Sequence, residues 1–446
     1  MRFDIRRLLT ARTSVLALMS ILLLAVVLSY IIPQRFSTPE AEFVKWQAAH
    51  RAWLPVIEFL GLHRLFSTPW FVGLLAVFWI SLVFAAKAQF RAALVRTFGC
   101  PCSAVTAPEL DGDSFQVDLS VGQLARGLQR AGYFRIAAIS GAMRYVKHPW
   151  GYWGVFLLHL GIMVAVAASL FIAATEKRGA LRLAEGELHL PSSPWLVEER
   201  GPFASPFRLP EAVRLDRLTP EFWEPGGLKN LQSELSFIAP DGVTTRRSLA
   251  LAAILDYRGL RIYQEANFGH VFYLRFTDRA GVTGEVALDL AGPIEAARPS
   301  YGDFDFAEIP YHLKAKYYAD AARETLVSDN PQLVMRLIDR ETVIGELALG
   351  IGEGGLLGPY QVRLVRLARW AGFVFLQTPG VSAVFAGFAI FILGVMLNYF
   401  TIPREFLVQT TGGGYRVTWN GSKYRRLYLA EYRRVEEQLR QQERNG

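Results

Sequence analysis

The chain has 446 residues, 52% of them hydrophobic and 13% aromatic, and carries a net charge of +8. Its mean hydropathy of +0.21 is too high for an ordinary water-soluble protein and too low for an all-helical transporter, which leaves a few membrane helices joined to a sizeable water-exposed part. The isoelectric point of about 9.4 alone would suit a nucleic-acid partner, but the chain carries no nucleic-acid-binding motif, and basic residues beside membrane helices are what orientation in a bilayer requires.

The basic start (Arg2, Arg6, Arg7, Arg12) leads into an apolar run over 13–32. Ile31-Ile32-Pro33-Gln34-Arg35 offers no small-residue cleavage site, so segment 1–32 is predicted to be a retained first span with its N-terminus in the cytoplasm. Residues 33–68 form an extracytoplasmic connector, with short interfacial helices expected near 41–52 and 53–62, where Trp46 and Trp53 suit the membrane surface. His50 and His63 lie there as surface residues.

The second span is predicted over 69–86 and returns to the cytoplasm, where Lys87, Arg91 and Arg96 follow. The next segment, 87–147, reads as a cytoplasmic insert. It is broken early by Pro101, Pro108 and the Asp111-Gly112-Asp113 turn, then continues as an amphipathic helix from Val121 and a small strand pair within 133–146. The only cysteines, Cys100 and Cys102, are too close for a C-x-x-C redox pair, and no C-x-x-C-H haem-attachment site occurs. Ordinary thiols of a reducing compartment, or metal binding or redox sensing, are the two readings of this pair.

The third span, 148–174, has one ionisable residue in its interior, His159, about 13 Å along a continuous helix from Trp150. Ionisable groups at such depth face the bundle interior and serve a function. Two readings are open: an axial ligand to haem iron, or a neutral histidine bonded to a neighbouring helix. Gly154 and Gly161 thin the same helix and permit close approach of either another helix or a flat ligand. His148 sits at the cytoplasmic edge.

From 175 to 379 no apolar run is long enough to cross a membrane, so these residues form one domain on the far side. Hairpin patterns recur: Glu234 to Ile238 with a Pro240-Asp241-Gly242 turn, Val271 to Phe276 with Val282 to Leu288, and Leu333 to Ile338 with Thr342 to Leu349, followed by a strand from Tyr360 to Leu367. An antiparallel sandwich or barrel is expected. His189, His270 and His312 lie here without metal-ligand spacing. The fourth span falls within 380–400, and a basic tail, 401–446, ends in a charged amphipathic helix expected to be solvated or in contact with the insert. The fold class is therefore a polytopic membrane protein with four transmembrane α-helices and a large β-rich extracytoplasmic domain between the third and fourth.

This order of elements, with Ser67-Thr68-Pro69-Trp70-Phe71 opening span two, Gly154-x4-His159-x-Gly161 in span three, Gly259-Leu-Arg-Ile-Tyr263-Gln264 in the β domain, Thr378-Pro379-Gly380 before span four and Gly412-Gly413-Gly414-Tyr415 in the tail, resembles the ResB family of cytochrome c biogenesis proteins. Ala252-Ala253-Ile254-Leu255 departs from the Asn-x-Pro-Leu segment that the family commonly carries, and Thr378-Pro379-Gly380 departs from its usual Asp-Pro-Gly. The resemblance implies a subunit of the system II cytochrome c synthase in the cell inner (cytoplasmic) membrane, with both termini cytoplasmic and the large domain periplasmic or otherwise extracytoplasmic. It implies transient haem b shared with a ResC/CcsA-like membrane protein, which carries the tryptophan-rich haem-handling motif that this chain lacks. In that reading His159 binds the haem iron and Gly154 and Gly161 lie close to the haem; apocytochrome c and a thiol-reducing extracytoplasmic protein are further partners, besides membrane lipid. No catalytic constellation is present, so the chain would be the non-catalytic half of a haem lyase. The alternative is a membrane-anchored scaffold or sensor whose β domain binds a peptide or protein without handling haem.

Overall fold

The computed structural model describes residues 9, 11–35, 38, 40–99, 113–139, 142–223, 227–307, 309–328, 330–420 and 424–444; Cys100 and Cys102 lie outside them. Among the described residues four helices are long and apolar enough to cross a membrane: Arg12–Ile31, Pro69–Phe98, Pro149–Thr175 and Val381–Phe400. By contact the chain divides into two compact units, Met1–Ala173 with Gly380–Gly446, and Ala174–Pro379.

Two of the helices depart from the sequence reading. The second does not stop at Ala86 but continues to Phe98, ending at Gly99 in the left-handed conformation; Lys87, Arg91 and Arg96 are good helix formers on its last turns, and only Gly99 lets the chain leave. The third opens as a 3-10 turn, Pro149–Trp153, and becomes α-helical at Gly154. His148, at φ 57°, supplies the bend before Pro149. Between the first two apolar helices, Glu40–Ala49, Leu54–Leu60 and a 3-10 turn Leu62–Ser67 fold back. The Gln34 side chain fastens this connector by donating to the carbonyls of Leu62 (2.9 Å) and Ile32 (3.0 Å).

The third and fourth apolar helices are held by glycine. A Cβ on Gly161 would stand 2.4 Å from the backbone nitrogen of Phe391, and one on Gly387 would stand 2.7 Å from that of Ala165. One on Gly154 would stand 2.7 Å from the nitrogen of Asn398, and one on Gly394 would stand 2.5 Å from that of Leu158. The two helices thus meet backbone to backbone along an antiparallel seam, the arrangement that substitutes for the hydrophobic effect where the surroundings are equally apolar.

The insert and the tail, read separately in the sequence, build one domain. Its five-stranded antiparallel sheet runs in the order Ser114–Val117, Gly414–Asn420, Arg404–Thr411, Ala142–Lys147, Phe134–Ile139. The two tail strands were not anticipated; Gly412 and Gly413 make the turn between them, with Thr411 paired to Gly414. Helices Val121–Arg130 and Arg425–Arg444 pack Leu124, Leu128, Val435 and Leu439 against Phe406, Val417 and Trp419. The first helix is set by a capping box, Ser120 with Gln123, which satisfies donors that a helix start leaves open. Two carboxylates tie the sheet to the helices. Glu431 accepts from Lys147 (2.8 Å) and Tyr133 (3.2 Å) and pairs with Arg404. Glu405 pairs with Arg144, whose guanidinium also donates to the carbonyl of Arg96 (2.9 Å) and the hydroxyl of Tyr152 (3.1 Å).

The large β domain is organised by two 18-residue strands, Leu260–Thr277 and Tyr360–Gln377, paired antiparallel from Arg261↔Leu376 to Thr277↔Gln361. One end of the pair gives Ile262, Phe373 and Phe375 to one core, with Leu215, Leu231 and Leu235; the other gives Phe272, Leu274 and Leu364 to a second, with Leu313, Met335 and Leu337. Register shifts fall between Gln264 and Phe268, on the first core's side, and between Tyr273 and Leu274, within the second, and such bulges bend and twist a strand. At the passage between the cores Gly269 lets Trp370 approach the carbonyl of Leu290, to which its indole donates at 3.2 Å; a Cβ there would stand 2.0 Å from that oxygen.

The two lobes repeat one plan. A first strand (Leu188–His189; Ser300–Phe306) begins a sheet completed by a three-strand meander (Ala212–Phe222, Leu228–Ile238, Thr244–Ala250; Ile309–Tyr318, Gln332–Asp339, Thr342–Leu349). A two-residue hairpin then leads into each long strand, closed by Tyr257↔Leu260 in one lobe and Leu357↔Tyr360 in the other. Arg258 and Gly259, and Gly358 in the second hairpin, have positive φ, as tight turns matched to strand twist require. Gln264, buried in the first lobe, sets its side-chain amide against the Leu249 carbonyl and Ser233 Oγ, so this residue of the G-x-x-x-Y-Q segment joins two sheets.

The glycine seam makes a directional prediction. Gly161→Leu or Gly387→Leu forces a side chain into backbone, and overpacking of this kind is expected to destabilise by roughly 1–3 kcal/mol, read as a lower melting temperature of the detergent-solubilised protein. Gly73→Ala, in the second helix where a Cβ meets nothing within 4 Å, should be neutral or stabilising; equal effects at the three positions would refute the seam.

Candidate functional site

His159 stands one turn into the regular part of the third helix, where Val155 is its i−4 neighbour. Its Nδ1 lies 2.8 Å from the Val155 carbonyl oxygen. A carbonyl can only accept, so Nδ1 carries the proton and Nε2 keeps its lone pair, the tautomer a metal needs. Nε2 makes no hydrogen bond among the described residues.

The seam residues Gly154, Leu158, Gly161 and Ala165 share one face of this helix. At about 100° per residue His159 is turned roughly 130° from the centre of that face. A second helix covers part of the remaining surface: Phe90 packs on Phe156 (5.2 Å between centroids) and Trp153 (5.7 Å), and the Trp79 indole donates to the Met163 carbonyl at 3.0 Å. His159 is half-buried beside that contact. The space in front of Gly154 and Gly161, open in the sequence to a helix or to a flat ligand, is filled by the fourth helix.

The other six histidines have other settings. His50 stacks on Trp46 (4.4 Å) and bonds its carbonyl, His63 meets the edge of Phe43, and His312 bonds Asp305 at 2.8 Å. His148 lies beside Arg404 and Lys147; burial first, then those cations, hold its pKa down. His189 packs against Trp195. His270 is hydrogen-bonded through Nδ1 to Tyr317 Oη at 2.7 Å, and burial, with the Arg369 guanidinium second, pushes its pKa down to about 3. No group of three or more His, Cys, Asp or Glu that could hold a metal ion occurs among the described residues. The His270–Tyr317–Arg369 grouping was invisible in the sequence, since its members are brought together only by strand pairing.

Four membrane-length helices with a single interior histidine and a large β-rich region between the third and fourth define a membrane-anchored protein with a helix-borne candidate metal ligand. Residues 11–349 match the model of the ResB-like family, and the chain belongs to that family. It is similar to the "Cytochrome c biogenesis protein CcsB" of a Synechococcus strain, 22% identical over 373 residues, covering 81% of this chain and 76% of that protein. A protein of the same name from Microcystis aeruginosa is 21% identical over 367 residues, covering 80% and 76%.

His270 makes stability depend on pH. Its folded-state pKa lies far below the ordinary 6.5, so the unfolded chain binds the proton first; the stabilisation is complete above pH 6.5 and is lost as pH falls from there toward 3. The expected loss is about 1 kcal/mol per pH unit, and His270→Phe should flatten the melting temperature against pH between 6.5 and 4.5 relative to wild type. An unchanged slope would show that His270 titrates normally.

Proposed function

We propose that this chain is a subunit of the system II cytochrome c synthase, in which His159 is an axial ligand of haem held within the membrane. The observation that carries the reading is the fixed tautomer: an imidazole in an apolar helix, with Nδ1–H held by Val155 and Nε2 left with its lone pair on a face that the fourth helix does not cover. That donor fits haem iron, whose axial ligand and dry surroundings set its hold and redox state. When bound, the haem supplies the vinyl groups that apocytochrome thiols add to.

The chain's own contribution is to position. His159 is the only histidine inside the four apolar helices, so a second histidine ligand comes from a partner of the ResC/CcsA kind, docked on the uncovered face of the third helix. The glycine seam and the Val155 bond hold the imidazole against rotation. Lys87, Arg91, Arg96, Arg144, Lys147 and Arg404 flank helix ends on one side, and a positive-inside orientation puts the small α+β domain and both termini in the cytoplasm. The β domain then faces outward, where it docks apocytochrome c or the protein that keeps its cysteines reduced, in the inner membrane of the cell.

Co-purification of the full chain with its partner tests it. His159→Ala is expected to lower bound haem about tenfold or more and to stop cytochrome c maturation, with added imidazole restoring the absorption spectrum. Haem content and maturation equal to wild type would reduce His159 to a packing residue and favour a peptide-binding scaffold.

A further inference from the structure

The large β domain contains a cavity of about 100 Å³ where its two lobes meet, bounded by the end of Ala212–Phe222, both long strands and the loop after Tyr318. Its polar lining includes Arg369, His270 and Tyr317, and its apolar wall includes Phe222, Phe268 and Leu326. Nothing in the haem reading uses it.

Arg369 is the charge of this cavity. Its guanidinium donates to the Leu218 carbonyl at 3.3 Å, and no carboxylate pairs with it among the described residues. The acids nearby are engaged elsewhere. Glu185 accepts from the backbone nitrogens of Leu218 (2.7 Å) and Arg369 (3.2 Å), and Asp320 accepts from Ser328 Oγ and the Glu324 nitrogen. His270 does not add a second cation, because burial and Arg369 keep it neutral. Burial also keeps the Tyr317 hydroxyl protonated; it shares a hydrogen bond of 2.7 Å with His270 Nδ1, and in either tautomer of the neutral imidazole one of the two groups keeps a proton to donate. The cavity therefore offers one uncompensated guanidinium, a further neutral donor and an apolar wall. A partly buried guanidinium is stabilised most by a carboxylate that accepts from its planar fork.

We infer that this cavity receives a carboxylate carried on a short apolar stem. The volume sets the size: about 100 Å³ holds several waters and suits a propionate-sized group, and it falls well short of the 300 Å³ or more of sites that enclose a drug-sized ligand. An acidic peptide side chain and a haem propionate share this chemistry, and either would enter tip first past Val327, which is 58% exposed on the loop bounding the cavity. The inference stands on the β domain alone and holds whether or not His159 binds iron.

Saturation-transfer NMR on the full chain in detergent micelles tests it, with propionate and its neutral isostere propionamide as probes. Wild type is expected to bind propionate about tenfold more tightly than propionamide. Arg369→Gln should abolish the preference, Arg369→Lys should keep part of it, and Val327→Trp, which fills the entrance without touching a paired strand, should block both probes even if Arg369→Gln does not fold. Competition separates the sources: displacement by an acetylated glutamate peptide assigns the site to a peptide side chain, and displacement by haem but not by haem dimethyl ester assigns it to a propionate. Equal binding of the two probes to wild type, a preference that survives Arg369→Gln or Val327→Trp, or displacement by neither competitor overturns the inference.

Discussion

Two apolar helices that touch backbone to backbone are the constraint on which this structure depends. In a bilayer, leucine against leucine gains little over leucine against lipid, so close contact has to come from shape. Gly154 and Gly161 on one helix and Gly387 and Gly394 on the other supply that shape. The same contact fixes what the helices carry. It sets the rotation of the third helix, and with it the face that holds His159. It also brings Phe171 to 3.0 Å from where a Cβ on Gly380 would lie, so the chain leaves and re-enters the apolar bundle at neighbouring points. Within the β domain Lys177 is paired with Gln377, so that domain starts from a closed loop.

A second closure is made at the other ends of the same helices. The insert before the third helix and the tail after the fourth complete one sheet, so two wide sequence separations are bridged by ordinary strand pairing, of Ala142–Lys147 with Arg404–Thr411 and of Ser114–Val117 with Gly414–Asn420. Arg144 shows what this accomplishes: one side chain reaches the end of the second helix through the Arg96 carbonyl, the third through Tyr152 and the residue after Arg404 through Glu405. Partly buried ion pairs of this kind contribute little net stability, because desolvation offsets attraction, but their geometry discriminates strongly against other arrangements. Three helices are thereby registered against one small domain.

The histidines divide along physical lines. Six lie against aromatic rings, acids, cations or Tyr317. His159 alone combines an apolar helix, a fixed tautomer and a ring nitrogen without a bond among the described residues. The β domain, for its part, spends its long strands on joining two similar lobes, and the junction is where a lone guanidinium is left facing a small cavity. Repeated lobes sharing a strand pair create such junctions as a matter of course, since side chains at the passage belong fully to neither core.

Local signals determined a good deal by themselves. Apolar runs located the four membrane-length helices, alternation with turn residues found the Leu228–Ile238/Thr244–Ala250 and Gln332–Asp339/Thr342–Leu349 hairpins, apolar spacing found the helix after Ser120, and an ionisable group in an apolar stretch singled out His159. Each of these depends on residues close in sequence, whose burial or exposure leaves a period that can be read. Tertiary structure decided the rest. Only the fold shows that Gly154 and Gly161 face a helix, because the partner glycines lie more than two hundred residues away and glycine carries no signal of what it approaches. Only the fold joins the insert to the tail, repeats one lobe as two, and places Arg369 beside His270 and Tyr317. Pairing across such separations is set by which core excludes the most water, a property of the whole chain that no local pattern encodes.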